Sequence, residues 1–434
     1  MIPAPISATP LTAERSPWLR GPIRLPGDPL LSSATLMLAA MARGESVIDN
    51  VASGAVTAAI AMALRQLGAH LAERTGSWHV QGIGTGGFLA PEGALDLLEA
   101  GSSAALLLGL LGGHDFTTEI TGLVTSPMTE ALLSFVERGG GKVERLGPAR
   151  VTVRAPRFGI PLDLALSADA QGLVAPLLLH ALVTTGRSVF HLPEGLNDPV
   201  EDFLVLFGAK LTATPTGDQL RVTVEGMSPL RAQALAIPGD PVLAAYPAVA
   251  ALIAPDSEVI IPRVALHPRG LGLLDALVLL GADIAIGQSR SGAADITVHH
   301  SALVGTALPV ELGIAAEDFP ILAIAAAFAE GETVIEGLGE GVRRLALTRA
   351  LRANGIDCVE QRNGLLVRGS SSVPGGGNLT TRLDPKLAMA FLVLGMAADR
   401  PVTIDDGAAM AGLFPGFTDA FEHVGASFSW GSPS

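Results

Sequence analysis

Two kinds of apolar stretch alternate along the chain. Stretches of the first kind are apolar on nearly every helical face, then break at a polar turn and continue as β-branched segments. They read LMLAAMARGESVIDN, LLLGLLGGHDFTTEI, LLLHALVTTGRSVFHL, AVAALIAPDSEVIIP, AIAAAFAEGETVIEG and LVLGMAADRPVTIDD. Stretches of the second kind are amphipathic and close on a small turn before a strand-like segment. They run LRQLGAHL, VERGGGKV, VLFGAKL, LVLLGADI, LRANGIDC and FEHVGASF, centred on Gly68, Gly140, Gly208, Gly281, Gly355 and Gly425. Those glycines lie 72, 68, 73, 74 and 70 residues apart, the differences between their numbers. Two independent markers keeping one period six times define an internal repeat. Each unit reads as helix, strand, amphipathic helix, strand, with its glycine as a helix C′ residue, where a left-handed backbone is needed.

Helices without a polar face must lie inside layers of other elements. Six units grouped three and three predict an α/β protein of two similar domains. Pro26-Gly27-Asp28 and its echo Ile237-Pro238-Gly239-Asp240 mark equivalent starts of the two halves. Solenoid stacking is the alternative for a repeat, but about seventy residues is long for a solenoid unit. The expected division is a flexible extension over 1–18, a first three-repeat domain over 19–236 and a second over 237–434. A strand near 19–25 is free to pack with the second.

Composition narrows the function classes. The chain has 434 residues, enough for two or three domains with substantial cores. Its 28 Lys+Arg against 42 Asp+Glu leave a formal charge of −14, which excludes a nucleic-acid or acidic-membrane binder. Lysine occurs only at 142, 210 and 386. One cysteine, Cys358, rules out an internal disulfide framework and fits a reducing cytoplasm. The longest apolar runs, such as 173–183, 320–329 and 387–398, fall short of the ~18–20 residues that span a bilayer. The first eighteen residues carry four prolines with neither a basic nor a continuous apolar region, and so do not read as a signal peptide. A soluble monomer is the expectation.

Several local signals carry less than they suggest. Gly82, Gly84 and Gly87 satisfy G-x-G-x-x-G, but Phe88-Leu89-Ala90-Pro91 opens no helix for a dinucleotide phosphate. Nine histidines include the pair His299-His300 but show no metal-ligand spacing. Ser32 and Ser33 suit a helix N-terminus better than a nucleophile elbow. Cys358 follows the Gly355 turn in a strand-like segment and reads as core.

The segments LRGPIRLPGD, GIGTGGFLAP (82–91), IPGDPVLAAYPAVAAL, EDFPILAIAAAFAEGETVIEGL and LDPKLAMAFLVLGMAADRPVTIDD resemble the EPSP synthase family, from about Leu19 to Trp430. These 3-phosphoshikimate 1-carboxyvinyltransferases of the shikimate pathway, in aromatic amino acid biosynthesis, move the enolpyruvyl group of phosphoenolpyruvate onto shikimate 3-phosphate. The resemblance implies the two-domain enolpyruvyl transferase-like fold, six βαβ-type repeats, three per domain, with an interdomain cleft. It also implies helix N-termini aimed at anionic substrates, Lys and Arg clamps, and no cofactor or metal.

Carried over position by position, the resemblance predicts Glu317 and Glu340 as proton-transferring groups. It gives Ser102, Gln171, Arg343 and Lys386 as substrate-binding groups. The family's basic positions read differently here. Its Gly-Asp-Lys-Ser-x-Ser-x-Arg is Gly27-Asp28-Pro29-Leu30-Leu31-Ser32-Ser33-Ala34, and its Asn-Ala-x-Thr-x-x-Arg is Glu99-Ala100-Gly101-Ser102-Ser103-Ala104-Ala105. Arg-Pro-Met becomes Ser126-Pro127-Met128, and the lysine before Glu340 becomes Gly339. Asp-x-Arg becomes Asp384-Pro385-Lys386, keeping a charge without the planar fork. Each partner removed from a buried charge pair costs about 2–5 kcal/mol, so five lost bases amount to on the order of 10 kcal/mol. These replacements predict weak turnover on the family's substrates, or a non-catalytic paralogue on the same scaffold. Unmatched Arg269 and Arg344 are the remaining sources of positive charge. Two structural alternatives stand beside the site reading: Glu340 and Arg343 pairing at i,i+3, and Glu317 and Asp318 serving as helix N-terminal charges. Asp240 reads as a helix cap whatever the function.

Overall fold

The structure, a computed structural model, describes residues 8–432 except 125, 157–158, 197, 290–291, 340 and 382–383. The chain divides into a continuous unit, residues 27–238, and a discontinuous one formed by the residues up to 26 together with 239 onward. The chain therefore changes unit at the two Pro-Gly-Asp segments. In each, the aspartate turns the chain toward a buried helix: the Asp28 carboxylate accepts from Leu31 N at 2.7 Å and that of Asp240 from Val242 N at 2.8 Å.

The continuous unit holds helices α1 (Pro29–Met41), α2 (Ala55–Gln66), α3 (Ser103–Leu111), α4 (Pro127–Arg138), α5 (Val174–Val183) and α6 (Val200–Leu206). The discontinuous unit holds α7 (Ala245–Ile253), α8 (Pro268–Leu279), α9 (Phe319–Ala327), α10 (Val342–Ala353), α11 (Pro385–Gly395) and α12 (Phe417–Glu422). Odd-numbered helices are the apolar ones; every residue of α3, α5, α7 and α9 is buried. Even-numbered helices bury one stripe, such as Thr57, Ile60, Ala61 and Leu64 of α2 or Thr129, Leu132, Leu133 and Val136 of α4. That i, i+3, i+4, i+7 spacing is the 3.6-residue period made physical.

Each unit carries three sheets whose core is four strands. In the second repeat the order is Leu95–Asp96, Thr117–Thr121, Arg150–Arg154, Lys142–Gly147, a short parallel strand followed by an antiparallel set. The element after each of the first five amphipathic helices is thus a hairpin, not the single strand expected, whereas α12 is followed by the single strand Ser427–Trp430. Three sheets borrow strands from distant sequence. Arg20–Pro22 pairs parallel with Glu258–Ile260, and Leu230–Arg231 pairs parallel with Ala42–Arg43. The sixth sheet takes Leu11–Glu14 between Val402–Ile404 and Ser427–Trp430. A flexible extension over 1–18 is therefore corrected at this strand. Leu11 and Ala13 are fully buried, which an isolated tail could not achieve, and their backbone groups pair on both sides. Pro10 and Pro17 lie outside this strand.

All six repeat glycines have positive φ, from 77° to 112°. At each the same pair of bonds closes the helix. Gly208 N donates to Val205 O and Ala209 N to Leu204 O, and the other five turns repeat this. Glycine is selected because the left-handed region charges it no Cβ penalty. The G-x-G-x-x-G segment also proves structural. A Cβ on Gly82 would come 2.0 Å from the Ala42 carbonyl, and Gly84 and Gly86 turn the chain at φ +90° and +80° without opening a helix.

In the continuous unit α3 and α5 pack closely because Gly109 has no side chain; a Cβ there would lie 2.1 Å from Pro176 O. His180 of α5 fills the space left by two further glycines, Gly112 and Gly139. Burial pushes its pKa down to about 4, against a smaller opposing pull from the Gly109 carbonyl. Among the described residues no helix is long and apolar enough to cross a membrane.

Two outcomes follow. Gly208→Ala, with nothing within 4 Å of the added Cβ, isolates the backbone cost and should lower stability by about 1 kcal/mol in urea unfolding. Between pH 6.5 and 4 the unfolded chain holds a proton on His180 that the folded chain does not, so stability present above pH 6.5 is lost as pH falls. His180→Leu should flatten that dependence, with a difference from wild type approaching ~3 kcal/mol at pH 4.

Candidate functional site

The starts of three buried helices converge in the discontinuous unit. Asp384-Pro385 opens α11: proline tolerates the first helical position, and the Asp384 carboxylate accepts from Lys386 N and Leu387 N, both at 3.1 Å. The other Asp384 oxygen accepts from Arg343 Nε at 3.3 Å. From α7, the hydroxyl of Tyr246 donates to the Lys386 carbonyl at 3.4 Å. The Lys386 backbone is thus held on both sides, which directs the side chain toward α9.

There the Lys386 Nζ contacts Asp318 Oδ1 and lies 3.8 Å from Glu317 Oε1. Both carboxylates sit on the single 3-10 turn Ala316–Asp318 that leads into Phe319-Pro320. Asp318 is almost wholly buried, Lys386 is 13% exposed and Glu317 35% exposed at the side chain. Asp318 stands at the N-cap position of α9 without a side-chain cap bond, so it is both a helix N-terminal charge and a contact of the Lys386 ammonium. Tyr246 is fully buried, and its phenol pKa is raised well above the ordinary value, by burial first and then by the Asp318, Asp384, Asp240 and Glu317 carboxylates. The phenol therefore stays protonated and remains a donor.

Chemically, the arrangement offers a half-exposed carboxylate beside an ammonium fixed from below. A proton gained or lost at Glu317 changes a charge that Lys386 is placed to balance. Arg343 and Lys386 are not equivalent. The Arg343–Asp384 pair is half-exposed and worth about 0–1 kcal/mol. The Lys386–Asp318 pair is buried, and removing one partner would cost about 3–5 kcal/mol. Arg344 is tied to Glu360 at 3.2 Å and to the Gln361 carbonyl at 3.1 Å, bracing α10 against the hairpin that follows it.

Of the residues expected from sequence, Glu317, Arg343 and Lys386 come together here. Glu340 lies outside the described residues, and Arg343 pairs with Asp384. Ser102 and Gln171 belong to the continuous unit. Ser102 is exposed immediately before α3 without a side-chain cap bond, and Gln171 is half-buried on the 3-10 turn Ala168–Leu173 leading into α5. The positions where the resemblance would place bases are filled by residues with structural duties. Pro29 takes the first position of α1, and Ala34 and Ala105 are buried. The Ser126 hydroxyl caps α4, accepting from Thr129 N at 3.0 Å. Tyr246 was missed from sequence, although it is the chain's single tyrosine inside an otherwise apolar AAYPAVAAL run. Among the described residues no three His, Cys, Asp or Glu gather to hold a metal ion.

Comparison with known proteins gives consistent matches. The family model described as EPSP synthase (3-phosphoshikimate 1-carboxyvinyltransferase) matches residues 14–421. A 3-phosphoshikimate 1-carboxyvinyltransferase of Chelativorans sp. (strain BNC1) is 36% identical, over 97% of this chain and 98% of that protein. One from Pseudomonas sp. (strain PG2982) is 37% identical, over 97% of each. The solved EPSP synthase of Acinetobacter baumannii superposes with a TM-score of 0.79 at 26% identity, covering 98% of this chain and 100% of that one. The enolpyruvyl transferase NikO of Streptomyces tendae, at 20% identity and a TM-score of 0.73 over 98% and 99% of the two chains, shares the fold.

The site's scaffolding is testable by stability. Asp384→Ala removes the α11 cap together with the Arg343 pair and should cost about 1–2 kcal/mol, whereas Arg343→Gln should cost less than ~1 kcal/mol. Equal losses in thermal unfolding would contradict this division of roles.

Proposed function

We propose that this chain, which belongs to the EPSP synthase family, is a diverged enolpyruvyl transferase. It would be slow with phosphoenolpyruvate and shikimate 3-phosphate, or directed to a less anionic acceptor. The observation that carries the reading is the half-exposed Glu317 carboxylate 3.8 Å from the Lys386 ammonium, where three helix starts meet. In the transfer, the acceptor hydroxyl bonds to the central carbon of the enolpyruvyl group and gives its proton to a base, the role assigned to Glu340. The methylene carbon takes a proton from Glu317. The Glu317 carboxylate then takes a proton back from that methyl group as the carbon–oxygen bond to phosphate breaks, which re-forms the double bond as the acceptor's enol ether and releases inorganic phosphate. Ser102, Gln171 and Arg343 would bind substrate, and Lys386 would balance the charge on Glu317. We place the protein in the cytoplasm as a monomer, in keeping with its one, buried cysteine.

The reduced rate rests on charge. Pro29, Ala34, Ala105, Ser126 and Gly339 leave anionic groups without five of the family's cations. A second reading, a non-catalytic paralogue, is favoured by the same replacements and by the engagement of Lys386 with Asp318. Release of inorganic phosphate from phosphoenolpyruvate plus shikimate 3-phosphate separates the two. The transferase reading expects turnover on the order of a thousandfold or more below that of a relative with the full cation set, abolished by Glu317→Gln. Phosphate release at background level, with no calorimetric heat from either substrate, would establish the non-catalytic reading instead.

A further inference from the structure

Lys386 is the only lysine of the discontinuous unit; Lys142 and Lys210 lie exposed in the other. Its ammonium is already in contact with the buried Asp318 carboxylate and faces Glu317 as well. The backbone on which it stands is fixed by Asp384 and Tyr246, so the side chain has little freedom to turn elsewhere. Among the described residues the neighbouring bases are answered too, Arg343 by Asp384 and Arg344 by Glu360.

We propose that Asp318 is a specificity-determining residue: it occupies the Lys386 ammonium and so turns this site away from strongly anionic substrate groups. The proposal rests on reading this region as the substrate site. A phosphate approaching Lys386 must displace a carboxylate at contact distance and meet the repulsion of two carboxylates side by side. An anion gains little from a charge the protein has already neutralised, whereas a neutral or hydroxyl-bearing group loses nothing. Specificity here is set by a repulsive element as much as by the missing bases.

The test is a gain of binding. Titration calorimetry with phosphoenolpyruvate as probe should show Asp318→Asn binding about tenfold or more tighter than wild type, because one competing charge is gone while Lys386 stays. The gain should vanish in the double variant Asp318→Asn, Lys386→Met. Unchanged affinity in Asp318→Asn, or a gain that survives the loss of Lys386, would overturn the proposal. A second measurement uses the wild-type protein and does not depend on how the variant folds. Acylation of the three lysines, read by mass spectrometry, should be about tenfold or more slower at Lys386 than at Lys142 and Lys210, and millimolar phosphoenolpyruvate should not slow it further. Equal reactivity at all three, or protection of Lys386 by the ligand, would refute the idea. Neither readout needs turnover, so a failure of phosphate release counts against the transferase reading alone, and a failed gain of binding counts against Asp318 alone.

Discussion

A helix with no polar face has to be walled from water on every side, and the described residues of this chain form six of them. That requirement organises the molecule. Within each unit, α1, α3 and α5, or α7, α9 and α11, form an apolar centre that only sheets and amphipathic helices arranged around it can cover. Close approach among them depends on missing side chains, as at Gly109 against the Pro176 carbonyl. The hairpins need their glycine turns to begin at the correct residue, since a slip by one would turn each strand's apolar face outward.

The same burial explains where polar chemistry can survive. Inside such a core an unpaired charge is costly, so polar groups gather at helix starts, where backbone donors are unsatisfied and carboxylates are welcome. Asp384 answers two such donors and an arginine, and Tyr246 reaches across from α7 to the first turn of α11. The result is a rigid base for Lys386, whose ammonium is then committed to Asp318.

That commitment changes how the family resemblance is read. Lys386, which keeps the positive charge of the family's arginine, looks as a letter like a charge for an anionic substrate. In three dimensions it belongs first to the protein's own carboxylate. Among the described residues of this cluster the carboxylates of Asp240, Glu317, Asp318 and Asp384 outnumber the bases Arg343 and Lys386, an unusual setting for a polyanion.

Much of this was legible in the amino-acid order. Periodicity is local, so the six repeats, the two kinds of helix and the glycine turns follow from spacing and backbone sterics alone. Glu317, Arg343 and Lys386 were reachable by resemblance. Other features were not, because they depend on which segments meet after the chain has folded. The strand Leu11–Glu14 reads as a tail until the sixth sheet, lacking its inner antiparallel strand, receives it. The hairpins were compressed into single strands because short edge segments such as KLTATPT carry almost no buried stripe. The partners of Arg343 and Lys386, 41 and 68 residues away in sequence, were hidden for the same reason. Local order fixes which side chains face inward; only tertiary contact decides which charge is spent on which, because an ion pair is set by distance through space and not by distance along the chain.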